Sequence, residues 1–66
     1  MNLVLNGEKR NVQRIGTVSE LLEKLSMAAG TVLVEQNGQV VQRAHFAVAK
    51  LTEGDHIEIV RVVAGG

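Results

Sequence analysis

Thr17-Val18-Ser19-Glu20-Leu21-Leu22-Glu23-Lys24-Leu25 is the stretch on which the fold turns. Thr17 and Glu20 stand three residues apart, the spacing of a capping box. The Thr17 hydroxyl can accept from the Glu20 N–H while the Glu20 carboxylate reaches back to the Thr17 N–H. Val18, Leu21, Leu22, Leu25 and Ala29 recur at helical spacing and form one apolar stripe facing a core. Glu20 and Lys24 add an i,i+4 pair on the outer side, and Gly30 is the expected C′ terminator. Met27 falls off the stripe, so it is either exposed or beyond the helix end.

Upstream, Met1, Leu3 and Leu5 alternate with Asn2, and Asn6-Gly7 follows. Asn-Gly is the strongest short hairpin signal, because both central residues of the turn need positive φ. Glu8 to Ile15 is mostly polar with Val12 as its inward residue, which fits a half-exposed return strand. Downstream, Val32 to Gln36 reads as a strand, Asn37-Gly38 as a second turn, and Gln39 to Gln42 as a short strand. Arg43 to Lys50 has no clean period and contains Phe46, expected to anchor this segment to the core. Glu53-Gly54-Asp55 is a turn before the last strand, His56 to Val63. A hairpin, a helix and further strands in this order require a crossover between parallel strands, normally right-handed. The first and last strands then lie centrally under the helix. The expected fold is α+β: a ubiquitin-like β-grasp, with a mixed sheet of four to five strands and one main helix on one face. Residues 1–63 form the domain and residues 64–66 a flexible tail.

Composition narrows the function. Sixty-six residues without cysteine make one small core with no disulfide or thiolate support. The chain therefore cannot hold sulfur as a persulfide of its own. Seven Lys+Arg balance seven Asp+Glu, and Phe46 is the only aromatic residue. Nucleic-acid and anionic-membrane binding lack both the positive field and the stacking surface they need. The apolar run at Leu3-Val4-Leu5 is too short for a signal peptide or membrane span, so a cytoplasmic location is expected. His45 and His56 lack metal-ligand spacing, and no metal site is expected. Glu53 and Asp55 read as turn chemistry rather than an acid–base pair, and no catalytic constellation is present. The chain is expected to be acted on by enzymes rather than to be one.

The last two residues, Gly65-Gly66, end the sequence as bare backbone with a carboxylate. Such a strip suits a narrow channel in another protein, and Ala64 to Gly66 reaches about 10 Å when extended. Period-2 alternation puts Ile57 and Ile59 on the inner face of the last strand, and Val60 and Val62 on the open face beside the tail. Those two valines are the candidate partner surface.

These features resemble the ThiS sulfur carriers. The resemblance rests on the Met1–Leu5 strand, the capped helix Thr17–Leu25, Val40-Val41-Gln42-Arg43, Glu53 to Ile59, and Val63-Ala64-Gly65-Gly66. It spans nearly the whole chain. Phe46 stands where family members often carry tryptophan, and it keeps an aromatic anchor. The resemblance implies a carrier in thiamin biosynthesis with no cofactor of its own. A ubiquitin-activating-like adenylyltransferase (ThiF-like) would use ATP and Mg²⁺ to adenylate Gly66, with Ala64 and Gly65 recognised as the tail. A sulfur donor such as a cysteine desulfurase would supply sulfur for a Gly66 thiocarboxylate. Thiazole synthase (ThiG-like) would take that sulfur. The small subunit of molybdopterin synthase and a ubiquitin-like protein modifier share the fold and the ending. A non-covalent β-grasp interaction module is the alternative of another class.

Overall fold

The structure, a computed structural model, describes residues 1–62. Val63, and the expected boundary between a domain at 1–63 and a tail at 64–66, lie outside the described residues. β1 (Asn2–Leu5) and β2 (Glu8–Asn11) form an antiparallel hairpin. Helix α1 (Val18–Lys24) follows, then the second hairpin of β3 (Val32–Gln36) and β4 (Gln39–Val41), and finally β5 (His56–Arg61). The sheet order is β2-β1-β5-β3-β4, with β1 parallel to β5 and the other pairs antiparallel. This is the expected β-grasp, with five strands and β5 at the centre.

The helix-facing side of the sheet supplies Leu3, Leu5, Val32, Val34, Ile57 and Ile59, all buried. Val18, Leu21 and Leu22 of α1 pack onto them in one apolar cluster with Phe46 and Leu51. Phe46 follows a single 3₁₀ turn, Arg43–His45, and is 3% exposed, so it does anchor that segment. At the N-terminus of α1 both arms of the capping box are made. The Glu20 carboxylate also accepts from the Gly16 N–H at 2.8 Å, so it is turned back over the cap rather than along the helix to Lys24.

Three expectations need correction. The helix does not run on to Ala29 or end at Gly30; Leu25 is its C-cap. Ser26 takes the left-handed conformation (φ 57). Its N–H bonds the Glu23 carbonyl at 3.0 Å, and the Met27 N–H bonds that of Leu22 at 2.9 Å. That pair of bonds is a Schellman closure, in which a short polar residue does the work usually given to glycine. Met27 then packs against the core from beyond the helix, whereas Ala29 is exposed and begins a 3₁₀ turn, Ala29–Thr31. The second strand likewise ends at Asn11 instead of Ile15, because Asn11 pairs with Asn2 at the start of β1, and Arg14 at φ 59 then breaks the extended chain. Val12 is half-buried as expected, just past the strand, and exchanges hydrogen bonds with Met1 at 2.9 and 3.0 Å. The last strand ends at Arg61, although the Val62 N–H still bonds the Thr31 carbonyl at 2.8 Å.

Candidate functional site: the C-terminal end of β5

β5 is held at both ends by asparagines from the two hairpin turns. At its start, the Asn37 N–H donates to the His56 carbonyl at 2.7 Å and the His56 N–H donates to Asn37 Oδ1 at 2.9 Å. The Asn37 amide also donates to Asp55 Oδ1 at 3.0 Å. Asp55 Oδ2 accepts from Gln36 Nε2 at 2.9 Å and from the Thr52 N–H at 2.8 Å. Burial pushes the Asp55 carboxyl up. The hydrogen bonds from Asn37, Gln36 and Thr52, with the nearby His56, outweigh it and hold the group below the usual aspartate range. Next to it, hydrogen bonds from Asn2 lower the exposed Glu53 carboxyl. Asp55 therefore fixes the start of β5, and Glu53 ties the turn before it to the start of β1 through the Asn2 N–H, as turn chemistry should.

Toward its end, β5 is gripped by Asn6. The Ile59 N–H donates to Asn6 Oδ1 at 2.8 Å, and Asn6 Nδ2 donates to the Ile59 carbonyl at 3.3 Å. Ile57 and Ile59 point into the core. Val60 and Val62 are each 52% exposed, on the face without a helix. The structure brings them together with two residues that the sequence reading missed. Leu33, 40% exposed, lies opposite Val60 in the β3–β5 register. Val40, opposite Glu35 on β4, continues the same face and is 59% exposed. A signal for Leu33 was present: in the run Val32-Leu33-Val34, alternation forces one large apolar side chain outward. Val60, Val62 and Leu33 thus form an apolar patch at one end of the open face, and Val40 stands further along it opposite Glu35, which pairs with Glu58. Ala64, Gly65 and Gly66 lie outside the described residues.

Other parts of the surface offer less. A shallow hollow of about 520 Å³ lies against β1 and β2, lined by residues that include Asn2, Lys9, Arg10 and Gly54. It is beside the start of β5, since Val4 pairs with His56 there. His45 and His56 are both exposed, and no group of three or more His, Cys, Asp or Glu able to hold a metal occurs among the described residues. No helix among them is long and apolar enough to cross a membrane.

Comparison with known proteins adds the rest. Residues 3–66 match the model of the ThiS family. The chain is 32% identical to the sulfur carrier protein ThiS of Bacillus subtilis over 65 residues, covering 97% of this chain and 98% of that protein. It is 32% identical to ThiS of Escherichia coli over 66 residues, the full length of both. A thiazole synthase of Paramagnetospirillum magneticum is 39% identical over 66 residues; all of this chain is covered but only 20% of that protein. Among solved structures, the crystal structure of the thiamine biosynthesis protein ThiS from Geobacter metallireducens aligns over the whole of both chains. Its TM-score is 0.84 and its identity 38%.

Proposed function

The chain belongs to the ThiS family, and on that premise we propose that it is a sulfur carrier of thiamin biosynthesis, with Gly66 as the sulfur-bearing residue. The observation that carries the reading is a family match extending through Gly65 and Gly66, joined to a hydrogen-bonded strand that precedes them in the chain. Asp55 and Asn37 fix the start of β5, Asn6 its end, and Val62 is still tied to Thr31. Val63 to Gly66 follow Val62 in the sequence, enough to reach about 14 Å if extended.

A carboxylate resists nucleophiles until one oxygen becomes a leaving group. A partner adenylyltransferase (ThiF-like), using ATP and Mg²⁺, would convert the Gly66 carboxylate to an acyl adenylate and release pyrophosphate. Sulfur from a donor such as a cysteine desulfurase would then displace AMP. Sulfide would leave a thiocarboxylate directly. A persulfide on another protein would leave an acyl disulfide that a second thiol cleaves to the thiocarboxylate, forming a disulfide with the donor. A thiazole synthase (ThiG-like) is the acceptor; a protein of that name contains a segment similar to this whole chain. This chain supplies recognition and the reacting end, and its partners supply ATP, metal and catalytic side chains. Ala64 and Gly65 keep the strip narrow enough to thread, and Val60 and Val62, extended by Leu33, dock the folded part.

Intact mass before and after incubation with an adenylyltransferase, ATP and a sulfur source tests this. The expected gain equals one oxygen replaced by sulfur, localised by fragmentation to Gly66, because oxidation of Met1 or Met27 adds almost the same mass. Omission of ATP or deletion of Gly66 should abolish it, and the deletion should leave the circular dichroism spectrum unchanged. No gain with several such enzymes would favour a non-covalent module, and a lysine-linked conjugate would make the chain a modifier. Val60→Asp should weaken docking to the adenylyltransferase far more than it lowers the melting temperature. Equal loss of both would return Val60 to a structural role.

A further inference from the structure

The edge of β5 that faces β1 is filled only part of the way. In the β3–β5 ladder, Asn37 donates to the His56 carbonyl and Val62 to that of Thr31. With the observed register, antiparallel alternation gives the bonded positions to His56, Glu58, Val60 and Val62. Ile57, Ile59 and Arg61 therefore turn their N–H and C=O groups toward β1. The Ile57 carbonyl accepts from the Asn6 N–H at 2.9 Å. The Asn6 carboxamide, standing in for a peptide group, takes both the N–H and the C=O of Ile59. Arg61 is next, and β1 has by then turned away at Asn6-Gly7. No hydrogen bond to the Arg61 N–H or C=O exists on that side among the described residues.

We propose that this notch, bounded by the Asn6-Gly7 turn, is a strand-addition site for an extended backbone segment of the enzyme that holds Gly66. Asn6 serves as the positioning residue that ends β1 and keeps β5 straight. The inference rests on the reading of Gly66 as the reacting end. Arg61 is five residues from Gly66, at most about 18 Å of extended chain. A protein that encloses Gly66 therefore comes within about 18 Å of this edge. The outer edges of the sheet are protected in the usual ways. β2 presents Glu8, Lys9 and Arg10, and β4 is three residues long. Among the described residues the notch has no such block, and the space around Gly7 is open. Main-chain bonds at Arg61 would supply affinity, while Val60 and Val62 on the adjoining face supply selectivity.

Amide exchange of the full chain, free and bound to an adenylyltransferase without ATP, tests the site. The Arg61 amide should exchange fast in the free chain and at least tenfold slower in the complex. The Val60 and Val62 amides, already bonded to β3, should change less. An unchanged Arg61 rate in the complex would overturn the proposal. So would protection of Arg61 in the free chain at high concentration, which would put a second copy in the notch. Asn6→Gly keeps the turn and removes the carboxamide. It should raise KM for the carrier about three- to tenfold, the worth of one or two net hydrogen bonds, with kcat unchanged. A purely structural Asn6 would lower the melting temperature without moving KM. If Gly66 gains sulfur while Arg61 stays unprotected, only strand addition falls. If Gly66 never reacts, the carrier reading falls and this inference with it.

Discussion

Asn6-Gly7 and Asn37-Gly38 are the same dipeptide in the same backbone, with φ of 48 and 83 in one and 52 and 83 in the other. Each closes a hairpin, and each asparagine then reaches across to β5, from opposite neighbours in the sheet. What they grip differs. Asn37 joins a cluster around a carboxylate that is 9% exposed, together with Gln36, Thr52 and the backbone of His56. Asn6 touches only main chain, at Ile57 and Ile59. A turn code read from sequence thus specifies the backbone fully and the tertiary role not at all. The role depends on whether the neighbouring strand begins or ends at that level.

The comparison breaks most visibly at Asp55. Asp55→Ala strands three hydrogen-bond donors, from Gln36, Asn37 and Thr52. A loss of about 2–3 kcal/mol in urea unfolding is expected, the scale for orphaned, poorly solvated polar groups. A change below about 0.5 kcal/mol would mean that water replaces the carboxylate and that the cluster is no anchor. The same group should shape the acid limb of stability. Its folded pKa is depressed, so the folded state binds fewer protons than the unfolded one. The contribution is complete above the unfolded pKa, about 3.9, and is lost as pH falls through the lower folded value. Asp55→Asn should flatten stability against pH below about pH 4, and an unaltered slope would assign that limb to other acids.

Asn37→Gly comes next in size. Glycine accepts the positive φ without cost, so the variant isolates the carboxamide. It removes bonds to Asp55 Oδ1 and the His56 N–H, and about 1–2 kcal/mol should be lost. The substitution should also move the Asp55 pKa back up, readable by carboxyl NMR titration, because a donor to the charged form has gone.

How far the sequence carried differs between the same two ends. The turns, the capping box, the Phe46 anchor and the inward Ile57 and Ile59 all follow from local rules with a fixed period or geometry. The helix end did not, because Ser26 adopts the left-handed conformation where the sequence offered Gly30 a few residues on. Cap choice there is decided by how soon the chain must turn back to deliver Met27 to the core. Asp55 read as part of a surface turn, and its burial by Gln36 and Asn37 is a contact across 18 and 19 residues that no local pattern encodes. Val60 and Val62 were legible from alternation alone. Leu33 and Val40 needed the strand order, because only the register sets Leu33 beside β5 and Val40 on the same face one strand further out.

The smallest effect on stability belongs to Asn6→Gly, and it is the sharpest test of the contrast. The turn survives, and the lost bonds reach only the Ile59 backbone, one of them at 3.3 Å. A loss of about 1 kcal/mol or less is expected, smaller than for Asn37→Gly. Local opening should tell more than the global value. With the carboxamide gone, the Ile59 amide loses its acceptor and should exchange faster, while the Ile57 carbonyl keeps its bond from residue 6. The start of β5 should remain protected by the Asp55 cluster. If opening instead spread evenly from His56 to Arg61, β5 would be one cooperative unit and the two asparagines interchangeable. Opening confined to the last residues would show that the strand is built with one fixed end and one adjustable end, the adjustable one nearest Gly66.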